Sequence, residues 1–138
     1  MTDGHDATFY RTALLLGLVP GADVHRWAEQ AIEHQRQPHD ALFDIVSVPA
    51  DDLTGLRNAL WPLAIDPEPA AVLHRIFDLL HEDMRTHRRE PADILTILRQ
   101  MRSMLRLPPA IYANLNAMLV EYAKDHDAAR VMQFLSQP

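Results

Sequence analysis

Proline divides this chain. Pro20, Pro38, Pro49, Pro67, Pro69, Pro91, Pro108 and Pro109 each stand between runs of periodic apolar residues. Proline holds φ at about −65° and offers no amide, so it suits a first helical turn and disrupts a helix interior. Between the prolines, apolar residues recur every three or four positions, the spacing of one helix face. Leu and Ala together number 37, against 20 for Val, Ile and Thr, a ratio that favours helix over sheet. No stretch alternates with period two, and no Asn-Gly or Asp-Gly hairpin signal occurs. The chain reads as all-α: a single compact domain over residues 1–138, with about seven or eight antiparallel helices joined by short links.

The first helix is expected over residues 7–18, where Phe9, Tyr10, Ala13, Leu14, Leu16 and Leu18 leave little polar face beyond Arg11 and Thr12. Gly17 marks either close packing of a neighbour or fraying before Pro20-Gly21. The second helix, 23–35, carries a stripe of Val24, Trp27, Ala28, Ala31 and Ile32, with Trp27 as a core anchor. Pro38-His39-Asp40 opens a short third helix, with Leu42, Ile45 and Val46 turned inward. Asp51 or Asp52 caps a fourth bearing Leu53, Leu56 and Leu60, which Pro62 breaks just after Trp61.

Asp66-Pro67 reads as a cap followed by a first-turn proline, starting a fifth helix that runs to Arg88. Its apolar face is Val72, Leu73, Ile76, Phe77, Leu80 and Met84. A sixth, 91–106, repeats the theme with Ile94, Ile97, Leu98, Met101 and Leu105. Pro108-Pro109 opens a seventh, and a short eighth follows Asp127. A faint echo links Val24-His25-Arg26-Trp27 before Pro38 to Leu73-His74-Arg75-Ile76 before Pro91, which would suit a short solenoid-like repeat.

Charge is lopsided. Residues 1–84 hold fourteen acids against five arginines, whereas residues 85–106 hold six arginines against two acids. Net charge is −6, which disfavours free nucleic acid as a ligand of the whole chain. There is no cysteine, so thiolate chemistry is absent. The opening residues carry acids where a signal peptide needs bases, and the run 13–19 is too short to span a membrane. A cytoplasmic protein without a membrane anchor is expected.

The polar residues build no catalytic constellation. Ser47, Ser103 and Ser136 lie in no glycine-flanked elbow, and the four glycines form no phosphate-cradling loop. The adjacent pairs Asp51-Asp52 and Glu82-Asp83 read as caps and solvated surface. His74, Asp78 and His81 share one helix face at i, i+4 and i+7, the type of set that holds a divalent metal. That face lies opposite the apolar stripe, and a zinc-protease HExxH pattern fails because Arg85 stands at its fifth position. No enzyme, cofactor or metal is expected. Two basic groups remain: Arg85, Arg88 and Arg89 at the end of the fifth helix, and Arg99, Arg102 and Arg106 along the sixth. They suit helix-end stabilisation or a bidentate docking surface for carboxylates or phosphates.

Residues 13–19 (ALLLGLV), 23–28 (DVHRWA) and 38–45 (PHDALFDI) resemble small helical bacterial proteins, some thought to be immunity proteins for polymorphic toxins. That resemblance covers about the first 65 residues. It implies a non-enzymatic binder whose partner is another protein, and a basic toxin suits the acidic first half, with Asp44, Asp51 and Asp52 as contacts. Two further readings stand beside it. One is a metal-binding or metal-sensing helical protein using His74, Asp78 and His81. The other is a regulatory module touching nucleic acid through its arginines.

Overall fold

Apolar periodicity becomes helix almost everywhere in the computed structural model, which describes residues 3–65 and 69–138. Among the described residues there are eight α-helices, two 3-10 turns and no strand. The fold is all-α, as the composition and spacing imply. The Asp66-Pro67 cap lies outside the described residues. Contacts gather into two compact units, Met1–Pro69 and Ala70–Pro138.

The first unit holds α1 (Asp3–Leu15), α2 (Gly21–His34), α3 (Asp40–Ser47), α4 (Leu53–Leu60) and a 3-10 turn, Trp61–Leu63. Helix α1 begins four residues before the expected start and ends three before the expected end. Its early turn is held because Gly4 lies against Ile65 and Leu63, and because Gln35 donates to Asp3 Oδ2 at 2.6 Å. Gly17, two residues beyond its last residue, closes it with a φ of +70°: Gly17 N donates to Leu14 O and Leu18 N to Ala13 O. That pairing is a Schellman stop. Gly17 therefore serves backbone geometry, and no neighbour packs where its side chain would be. Thr12, read as polar face, is buried, and its hydroxyl donates to Thr8 O at 2.9 Å.

Ala7, Leu14, Val24, Ala28, Leu42, Ile45, Leu56 and Leu60 form the core of this unit. Trp27 sits half-buried at its margin, stacked near Tyr10, with its indole N–H donating to Asp6 Oδ2 at 3.1 Å. Leu53, expected inward, is exposed. Asp52 rather than Asp51 caps α4, accepting from Gly55 N at 2.9 Å. His39, to which no role attaches in the sequence, caps α3 by accepting from Ala41 N. The main partner of α1 is α4, and that of α2 is α3.

A 3-10 turn, Pro69–Val72, spans the boundary, and the second unit then holds α5 (Leu73–Arg85), α6 (Pro91–Met104), α7 (Pro109–Asp125) and α8 (Ala128–Ser136). Helix α5 stops at Arg85, three residues short of the expected end. His87 takes a φ of +59°, His87 N donates to Met84 O, and Arg88 N donates to Asp83 O, a second Schellman stop with histidine in the glycine position. Glu90 and Asp93 form a capping box on α6, with Pro91 in its first turn. Helix α6 ends at Met104, so Arg106 lies beyond it. The residue before a proline avoids helical backbone, which favours an early stop ahead of Pro108.

Ile76, Phe77, Leu80, Ile94, Leu98 and Leu115 are completely enclosed, and Phe77 meets Phe134 edge to face at 5.4 Å. Helix α5 packs chiefly on α8, and α7 on α8. The sequence echo places α2–α3 in one unit and α5–α6 in the other, yet α2 packs chiefly on α3 whereas α5 packs chiefly on α8. The two pairs are not structural equivalents.

Candidate protein-binding surface

The unit boundary sharpens the charge asymmetry. Residues 1–69 carry eleven acids and four arginines, while residues 70–138 carry eight acids and nine basic residues. Net charge is thus −7 for the first unit and +1 for the second. The acidic character belongs to one compact body.

Within it, Glu29 and Glu33 lie one turn apart on α2, and Asp40 and Asp44 one turn apart on α3, all four exposed. Like charges at i and i+4 destabilise a helix by roughly 0.2–0.5 kcal/mol a pair. Among the described residues none of the four forms an ion pair, and neither does the exposed Asp51. Phe43 stands exposed between Asp40 and Asp44 in sequence, with 47% of its surface in water.

The residues singled out in the sequence divide into occupied and unoccupied groups. Asp44 and Asp51 are exposed and form no ion pair among the described residues, whereas Asp52 is engaged in capping α4. Glu29, Glu33, Asp40 and Phe43 join the candidate set; their spacing was readable in the sequence, but their lack of counter-ions was not.

Among the arginines, Arg85 is bound at both Nε and Nη2 by Glu82. That contact holds the Glu82 carboxyl below its ordinary range and raises Arg85. Arg89 is tied to Asp83 at 2.8 Å, and Asp83, read as solvated surface, is buried at 5% exposure. Arg102 Nη1 donates to Asn116 Oδ1 at 2.8 Å. Arg88, Arg99 and Arg106 are exposed. Arg99 lines an open recess of 340 Å³ with Thr96, Gln100, Ser103 and Met104.

The helix rise of 1.5 Å per residue sets the start of α6 about 16 Å from Arg102. The two arginine groups therefore stand towards opposite ends of α6 instead of forming one rim. His74 and Asp78 are exposed and His81 is half-buried; among the described residues no three His, Asp or Glu side chains gather to hold a metal. Among the described residues no helix is long and apolar enough to cross a membrane. Compared with protein-family models, curated proteins and solved structures, the chain matches none.

Proposed function

We propose that this chain is a non-enzymatic protein-binding module, an immunity-type or adaptor protein, that masks a basic partner through its acidic first unit. One observation carries the reading: the unpaired like-charge pairs Glu29–Glu33 and Asp40–Asp44 in a body of net charge −7. Each pair costs helix stability and, among the described residues, has no counter-ion; a basic partner would supply one. A field of that sign accelerates encounter with a basic protein and loses strength as salt rises. Phe43 supplies the apolar anchor beside the charges. The resemblance of residues 13–19, 23–28 and 38–45 to small helical bacterial proteins, some thought to be immunity proteins, points the same way.

The test is capture by the tagged protein from its native host, followed by quantitative binding. A single stoichiometric basic protein is expected. Its association rate should fall with salt and drop about ten-fold or more in the combined Asp40→Asn, Asp44→Asn, Asp51→Asn variant. Asp52 is left intact because it caps α4. Unchanged association in the triple variant would overturn the reading.

A further inference from the structure

Among the described residues Arg11 and Arg57 of the first unit form no ion pair, and their arrangement follows from Pro62. Lacking an amide, Pro62 cannot extend the α4 ladder. The last turn tightens, and Trp61 N donates to Asn58 O. Arg57 O is then picked up by Arg11 Nε at 3.2 Å. This bond lays the Arg11 guanidinium over the Trp61 indole, with Cζ 4.4 Å from the ring centroid, a cation–π contact. It also brings Arg11 beside Arg57. Burial first, and the Arg57 charge second, push the Arg11 pKa down.

Arg57 Nε is closed off from water and has no acceptor. Among the described residues neither Arg11 nor Arg57 forms an ion pair. A buried, charged donor left unsatisfied is costly and calls for an explanation. Helix-end stabilisation accounts for the Nε of Arg11, since Arg57 O lies in the last turn of α4. It accounts for neither the remaining donors of Arg11 nor the charge of Arg57.

We propose that Arg11, Arg57 and Trp61 form a receptor for one carboxylate, supplied by an aspartate or glutamate side chain of a partner protein. Arg57 Nε is enclosed and Arg11 Nε is held by Arg57 O, so the contacts fall to the Nη donors of the two planar groups, which suit the two oxygens of a carboxylate. Trp61 is 50% exposed and Ile65 62% exposed. Ile65 is tied to α1 by its backbone N–H, which donates to Thr8 Oγ1 at 3.2 Å. They offer an apolar shelf for the methylene stem of the acidic side chain. The site uses none of the acids proposed above to meet a basic partner, so it stands or falls independently of them.

The experiment follows the arginine Nε–H and the Trp61 indole N–H signals of the full-length, isotope-labelled protein by NMR. Sodium acetate, inorganic phosphate and sodium chloride are titrated in turn at constant ionic strength. Acetate is expected to give saturable shifts at Arg11, Arg57 and Trp61, at a concentration about ten-fold or more below any chloride effect. Arg57→Gln should abolish the saturation. Should that variant not fold, Arg11→Lys keeps the charge, removes the fork and must show the same loss. Equal, non-saturating responses to acetate and chloride would overturn the site. Saturation by phosphate at lower concentration than acetate would overturn the carboxylate assignment.

Discussion

Asp83 and Arg89 are bound twice over. The Asp83 carboxylate receives Arg89 Nε at 2.8 Å, and the Asp83 carbonyl accepts the amides of both Arg88 and Arg89. One residue thus stops α5, turns the chain and fixes the approach to α6. Replacing Asp83 by Ala should cost the second unit about 2 kcal/mol, since it removes the buried carboxylate that pairs with a partly buried guanidinium. Arg88→Ala, at an exposed side chain in the same turn, should change little. Urea unfolding of the three proteins checks this, and equal midpoints for wild type and Asp83→Ala would refute it.

Left-handed backbone at non-glycine residues supplies a second test. His87 at φ +59° and His126 at φ +51° each follow a helix end. Glycine removes the Cβ penalty, so His87→Gly should stabilise by about 1 kcal/mol. His126→Gly should gain less, because the His126 ring also meets Tyr122 edge to face at 5.4 Å. Gly17→Ala, at φ +70°, should lose about 1 kcal/mol. Thermal melts of the three variants give the comparison.

Gly21 is needed for a different reason. A Cβ there would fall 1.9 Å from Ala50 O, where the start of α2 meets the link between α3 and α4. Gly21→Ala should therefore destabilise by about 2 kcal/mol through displaced backbone. The loss should appear in chemical denaturation as a lower midpoint.

Asp125 provides a pH test. The bond from Arg130, and after it the Asp127 amide, hold the Asp125 carboxyl below its ordinary value. A carboxyl with a depressed folded-state pKa contributes stability above its unfolded value of about 4, and that contribution is lost as pH falls through the folded value. The stability gap between wild type and Asp125→Asn should be full above about pH 5 and close below about pH 4. Added salt should narrow it, since the pair is exposed. A gap unchanged at the acid end would contradict this reading.

The helices and most of their starts were legible in the residues. Asp127 caps α8 and Pro91 opens α6 as their side-chain chemistry requires. Helix ends were less legible. A Schellman stop at His87 has no glycine to announce it, and the early end at Met104 answers to Pro108 four residues on. The acids of the candidate surface were visible as charges, but whether each had an internal partner depended on neighbours distant in sequence.

The sequence by itself determined an all-α chain, the apolar face of most helices, and the excess of acid in the first part. Periodicity records which face of a helix avoids water, and both properties are local. Tertiary structure alone decided which helix covers which face. It closed α1 on α4 and α5 on α8, buried Asp83 against Arg89, and set Arg11 beside Arg57. Apolar attraction has no direction, so a stripe of leucines specifies burial without naming its partner. The partner is chosen by backbone stops and by polar groups that must find one another as water leaves.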